Sequence, residues 1–373
     1  PSGDVAVADG RLLEWFVAAD DRWHVPSREP AVRQRRIDDT PVTETRVRVP
    51  TGDVVQRIYS VADAGGITVI EIENESTLPV AVAFSHRDVL TERPIVDVPI
   101  DGIDLPADAF ALPIGHRSSV RVGLRHHPSS IATLPTSLPT AAQVVSGWLA
   151  LTERTSRFAL PDGEVLGAAL AGRVVTERCE LALGGPPDLG AEPTAFLLAC
   201  GELVRLGDEP TTWLDDIAEA VARVAPTPGW DIDAGLRAVR SALLATHERR
   251  ALRDLDRIIA GRAVSRRPAR VPDGLWCVPW VESWFAEGGA LFPSGWPVEW
   301  LGQSIEAHRV PTVDRSTVSI AVRWHGARPA LLWEQHGEAA ELSAPAIAPA
   351  WRSQERTGET LLPEPAHRPD HSN

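Results

Sequence analysis

The chain of 373 residues contains no lysine, so all 37 of its basic side chains are arginine. This absence excludes a lysine Schiff base, a pyridoxal-phosphate enzyme, a Walker-type phosphate loop and the β3 lysine of a kinase. No G-x-G-x-x-G, G-x-S-x-G, H-E-x-x-H or C-x-x-C pattern occurs either. Three cysteines, Cys179, Cys200 and Cys277, are too few and too scattered for a disulfide framework or a zinc cage. Cys179 and Cys200 fall in helical patterns and read as small buried hydrophobes. Methionine is absent and Tyr59 is the single tyrosine. The accompanying bias towards Ala, Arg, Val, Pro and Leu is that of a GC-rich coding sequence.

No stretch approaches the roughly 20 apolar residues needed to cross a bilayer, and Pro1–Arg22 is acidic with no long apolar run. With so little cysteine, these features predict a cytoplasmic protein. The formal net charge of −14 opposes nucleic-acid and anionic-membrane binding and favours solubility. It also makes a neutral ligand easier to accommodate than an anionic one. No metal or other cofactor is expected. Asp97, Asp101, Asp104 and Asp108 do not follow the alternate-position spacing of an EF-hand and read as turn residues. His126 and His127 are adjacent, which on a strand sends them to opposite faces.

From Val42 the hydrophobic period is two. Thr45–Val49 alternates, Pro50-Thr51-Gly52-Asp53 turns, and Val54–Tyr59 resumes. Ile67–Ile72, Val80–Phe84, Ile95–Val98, Ala109–Leu112 and Ser119–Leu124 continue the series, so residues 40–130 are expected to form an antiparallel β-sandwich. Before it, residues 1–39 are read as an N-terminal segment with a short helix over Arg11–Ala19. A helical pattern then fills 138–262. Thr140 caps a helix to about Arg157, and further helices run over Gly163–Leu183, Thr194–Leu206, Thr212–Val224 and Asp233–Ala260. Short loops pack these five as an antiparallel bundle. Arg262–Pro272, rich in Arg and Pro, reads as a solvated linker. A Trp-rich segment and a small antiparallel β unit occupy 273–345, with strands at Thr317–Trp324, Ala330–Glu334 and Ala339–Ser343. Residues 352–373 read as a disordered tail. The fold class is therefore an α+β multidomain protein.

Three stretches carry a family resemblance. In the first part, Glu44-Thr45-Arg46-Val47-Arg48-Val49 through Gln56-Arg57-Ile58-Tyr59, and Ile70–Ser76 followed by Pro79–Phe84, are similar to paired strands of a particular type of sandwich. Phe158-Ala159-Leu160-Pro161-Asp162 looks like a junction between toroid helices. Ser319–Glu334, with Val322-Arg323-Trp324-His325-Gly326, resembles a C-terminal β-domain. The order of parts resembles the glycoside hydrolases that join a β-sandwich to an α/α-toroid, the glucoamylase-like and glycogen-debranching-like enzymes. The resemblance implies a neutral-glycan substrate and a partial toroid, because the chain offers fewer helices than a complete ring. It also admits a degenerate relative without full activity.

Two sets of residues are candidates for the site. Trp276, Trp280 and Trp284 recur every four residues, and Trp296 and Trp300 repeat that interval. Indoles on one helical face give sugar rings flat apolar surfaces to stack on; equally, they fill a core. Glycoside hydrolysis needs two carboxyl groups roughly 5–10 Å apart, and Asp162, Glu192 and Glu282 are the candidates, with Glu164 and Asp188 beside them. Asp162 also suits a helix start and Glu192 a helix N-terminus. The expected function is the binding or hydrolysis of a neutral glycan. The alternative is a non-enzymatic interaction or scaffold protein that uses the Trp-rich segment as a partner or self-association surface.

Overall fold

The six-stranded sheet at the start of the chain follows from the period-two pattern. Its order is Leu90–Thr91, Ser119–Arg125, Ile67–Asn74, Gly52–Val61, Thr43–Val49 and Arg33–Arg36, antiparallel throughout. The computed structural model to which it belongs describes residues 2–7, 10–96, 99–127, 131–263, 265–313 and 316–365. The protein is an α+β multidomain chain of two units, Pro1–Leu149 and Ala150–Asn373. The boundary falls within helix α1 (Ala141–Thr152), which Thr140 opens through its bond with Gln143.

In the first unit a four-stranded sheet, Phe110–Ile114, Val80–Phe84, Trp15–Ala18 and Trp23–His24, completes the sandwich. Its inward residues Trp15, Val17, Val82, Phe84 and Phe110 meet Val47, Val54, Ile70, Ile72 and Val122 of the larger sheet. Alternation sends the other faces outward, where Glu44, Arg46, Arg57 and Glu73 form a cross-strand ladder of opposite charges. Burial pushes the Glu44 carboxyl up, but Arg46 and Arg35 outweigh it and hold the group below its ordinary range. The turn at Asn74-Glu75-Ser76 is fixed by the Asn74 amide. It donates to Leu78 O at 2.8 Å and accepts from Ser76 N at 3.0 Å.

The expected helix over Arg11–Ala19 is instead two strands, Leu12–Leu13 and Trp15–Ala18. Pairing of Trp15–Ala18 with Val80–Phe84 buries Trp15 and Val17 on one face, so tertiary packing overrides the local helical pattern. Ile95 and Val96 lie in no strand, and Asp97 and Val98 are outside the described residues.

In the second unit the helices are α2 (Ala168–Gly184), α3 (Pro193–Leu206), α4 (Leu214–Val224), α5 (Trp230–Ala245), α6 (Arg249–Ala260) and α7 (Cys277–Phe285). The single helix expected over Asp233–Ala260 divides into α5 and α6. The chain turns at His247, whose φ of 59° is left-handed, and Glu248 N donates to Leu243 O to close the α5 end. Pro279 stands in the first turn of α7, where its missing N–H leaves no bond unmade.

The helical region and the C-terminal strands, separate in the sequence reading, share this one unit. Arg157–Ala159 joins a five-stranded antiparallel sheet beside Ile305–Pro311, followed by Thr317–His325, Arg328–His336 and Thr357–Leu361. A common core takes Leu170 and Val174 from α2, Val278 and Val281 from α7, and Ile305, Ile320 and Leu331 from the sheet. The segment read as a tail thus begins inside the fold: Ala348–Ser353 and Thr357–Leu361 are strands. Its alternating residues are polar and mostly exposed, which hid them from a hydrophobicity reading. Residues 366–373 lie outside the described residues. No helix among the described residues is long and apolar enough to cross a membrane.

Candidate functional site

Helices α3 and α5 pack through small residues. A Cβ at Gly201 would lie 2.4 Å from Ala238 O, so only glycine allows this approach. Around this contact the second unit encloses a cavity of about 830 Å³, within the range of small-molecule sites. Its walls are largely apolar: Leu198 of α3, Ala234, Ala238 and Leu244 of α5, Ile259 of α6, Pro311 at the end of the strand Ile305–Pro311, and Val313 after it.

The polar part of the lining rests on an ion network. Arg178 of α2 and Glu202 of α3 are 1% and 2% exposed. Arg178 Nε donates to Glu202 Oε2 at 2.9 Å, and Arg205 Nη1 donates to Glu202 Oε1. Arg205 Nη2 reaches across to Glu282 Oε1 of α7 at 2.7 Å, and Ser156 Oγ donates to the same oxygen at 2.5 Å. Arg178 also donates to Ser156 O at 2.5 Å and to Ser156 Oγ at 2.8 Å. Two guanidinium and two carboxylate groups thus close a neutral set that ties α2, α3 and α7 together. Burial pushes Glu202 up, but Arg205 and Arg178 prevail and hold it below the ordinary carboxylate range. The two carboxylates in turn raise Arg205 above an ordinary arginine against the effect of burial. Burial of such a set is tolerated only because every charge has a partner and the forked guanidinium groups bridge two acceptors at once.

The remaining charges on the wall are also matched. Arg240 Nε bonds Asp256 Oδ1 at 2.7 Å, joining α5 to α6, and Arg237 stands 4.0 Å from Glu287. Among the described residues no group of His, Cys, Asp and Glu is placed to hold a metal ion.

Of the residues singled out by sequence, Glu282 lines the cavity and Asp162 and Glu192 do not. Asp162 is exposed and caps nothing, since α2 starts at Ala168 behind Gly167. Glu192 is exposed at the α3 N-terminus without a side-chain capping bond. Asp188 is a turn residue whose Oδ2 accepts from Ala191 N.

The tryptophans do not form an exposed stacking row. Trp280 and Trp300 are 1% and 0% exposed, and their indole N–H groups donate to Pro268 O and Leu166 O. Trp284 and Trp296 pack against the same core, with the Phe292 ring tilted against Trp296 at 4.5 Å. On α7 the interval places Trp280 and Trp284 against the core, whereas Trp296 and Trp300 reach the same core from outside any α-helix. Trp276 stands apart, 6.4 Å from Trp230 beside a smaller cleft that includes Arg266 and Pro268. None of the five lines the larger cavity.

Two of the linker arginines are fastened, while Arg266 and Arg270 are exposed as the linker reading expects. Arg262 bonds Asp233 Oδ1 at 2.6 Å, and Arg267 lies over Trp284.

Arg178, Glu202 and Arg205 escaped the sequence reading. Their signal was a charge inside an apolar helical run: Glu202 follows Leu197-Leu198-Ala199-Cys200-Gly201, and Arg178 precedes Cys179. Such a charge must be paired to be buried. Comparison with protein-family models, curated proteins and solved structures gives no match to this chain.

Proposed function

We propose that the second unit is a binding module that holds a neutral small molecule in its 830 Å³ cavity and does not hydrolyse it. The observation that carries this reading is the matching of charge on the wall. Arg205 and Arg240 are each hydrogen-bonded to a carboxylate, and Arg237 stands 4.0 Å from Glu287, so a charged ligand finds the charges of the wall already countered. Apolar walls with a localised polar patch suit a molecule with an apolar body and an uncharged polar group.

Binding is favoured over hydrolysis because both oxygens of Glu202 and Oε1 of Glu282 are already held by arginine. A glycosidase acid needs a carboxyl whose proton is retained near neutrality, whereas the arginines hold Glu202 in the opposite direction. The resemblance to sandwich-plus-toroid glycoside hydrolases puts neutral sugars first among the probes. The interaction-protein reading loses its main support, because Trp280 and Trp300 belong to the core. Cys179, Cys200 and Cys277 are buried and in no disulfide, which fits a reducing compartment such as the cytoplasm.

The test is thermal unfolding against matched amphiphiles below their micelle concentration: octyl glucoside, octanoate and octylammonium. A ligand at 100 times its dissociation constant adds about 2.7 kcal/mol, a rise of several degrees. The neutral probe raises the melting temperature, and Leu244→Trp, which fills the cavity from α5, removes the rise. Equal response to all three probes, or no effect of Leu244→Trp on binding, overturns the reading.

A further inference from the structure

We infer that Glu282 Oε2 is the polar anchor of this cavity and accepts a hydrogen bond from a hydroxyl group of the ligand, an inference that rests on the binding role proposed for the cavity. Glu202 has both carboxylate oxygens engaged by arginine, and Glu282 Oε1 takes Ser156 and Arg205. Among the described residues Glu282 Oε2 has no such donor, although the residue is only 9% exposed and its exposure is towards the cavity it lines. An oxygen that no described protein group bonds and that belongs to the cavity lining can take a charge-assisted bond from a ligand donor.

The hydroxyl groups around it define what the ligand must bring. Ser241 Oγ donates to Ala238 O at 2.7 Å, Ser283 Oγ to Trp280 O at 2.8 Å, Thr312 Oγ1 to Ser316 O at 3.0 Å, and Ser316 Oγ to Glu338 O. Each hydroxyl proton is committed to a backbone carbonyl, and Ser283 Oγ also accepts from Arg267, so none of the four has a proton to offer a ligand. Towards a ligand these four hydroxyl groups can only accept. An ammonium group would also donate, but the charge of Glu282 is already balanced within the set of Arg178, Arg205 and Glu202. An uncharged donor fits; a hydroxyl-bearing molecule, with several donors close together, fits the several acceptors.

Calorimetric titration of the full chain with octyl glucoside tests this. Wild-type protein binds octyl glucoside, and its per-O-methylated derivative, which keeps the shape but has no O–H, binds about 10- to 100-fold more weakly. Glu282→Gln keeps an acceptor for Arg205 but turns an amide to the cavity, and weakens octyl glucoside by a similar factor. Because Glu282→Gln leaves the buried set with an extra positive charge, its circular dichroism is recorded first. If that variant is unfolded, the methylated probe on wild-type protein decides alone. Equal binding of the methylated and free probes, or tighter binding of octylammonium than of octyl glucoside, overturns the inference while leaving a ligand cavity intact. Failure of all probes to bind wild-type protein overturns the binding role itself.

Discussion

The guanidinium carbon of Arg267 lies 3.6 Å from the ring centroid of Trp284. Arg267 also donates to Ser283 Oγ at 2.9 Å and Ser294 Oγ at 3.1 Å. The planar group stacks on the indole while its edge reaches both hydroxyls, a combination that a point-charge ammonium cannot reproduce. Arg267→Lys therefore costs about 1–2 kcal/mol. Urea unfolding followed by tryptophan emission measures it; an unchanged midpoint means that the stack contributes nothing.

Removing one member of the Arg178–Glu202–Arg205–Glu282 set leaves a buried charge without its partner. Arg178→Met is expected to lose about 3–5 kcal/mol of stability. Arg178→Met combined with Glu202→Met removes one charge of each sign and costs less than the sum of the two single changes. A double-mutant cycle by chemical unfolding gives the coupling directly. Additive effects would show that the set is not a unit.

Alkaline pH acts on groups that burial keeps protonated. Burial pushes Cys277 and Cys200 up to about 12 from 9.0, and Tyr59 up to about 12 from 10.0. The unfolded chain releases these protons at the ordinary values while the folded chain retains them. Their stabilising contribution is thus complete below about pH 9 and is lost progressively as the pH rises towards 12. Arg267, lowered by burial to about 10, acts in the opposite direction above that pH. The thiol effect is therefore clearest between pH 9 and 10. Stability measured across that window falls for the wild-type chain and falls less steeply for Cys277→Ala.

Gly201 sets the spacing of α3 and α5. Gly201→Ala places a methyl 2.4 Å from Ala238 O and within 2.8 Å of Ala238 Cβ, so the helices must separate. A loss of about 1–3 kcal/mol is expected. Thermal unfolding measures it, and Gly147→Ala is the control, since a Cβ there meets nothing within 4 Å.

The strands of the sandwich were legible because their inward residues alternate, as in Ile67–Asn74, and helix α3 because apolar residues fill its face. Arg157–Ala159 and Thr357–Leu361 were not legible: one is three residues long, and the other alternates polar side chains against Arg328–His336. At Gly358 the missing side chain is replaced by the Trp333 ring, which crosses over it from the neighbouring strand. Glu282 was legible as a carboxylate among tryptophans. Its partners were not, because Ser156 and Glu282 are brought together only by the tertiary fold. The spacing of Trp280 and Trp284 identifies a face of α7 without saying which way it points, and the same spacing at Trp296 and Trp300 is not helical.

The pairing of Phe158 with Ala307 also governs when the second unit can fold. Helices α2 to α7 lie in the chain between these two adjoining strands. A ribosome makes every one of those helices before it makes the strand that closes the shared core. α2 and α7 present Leu170, Val174, Val278 and Val281 to that core, and these surfaces wait uncovered until the C-terminal strands emerge. Such late, long-range closure is slow and leaves apolar surface open to association. Synthesis of this unit is thus the stage at which the chain depends most on chaperone cover.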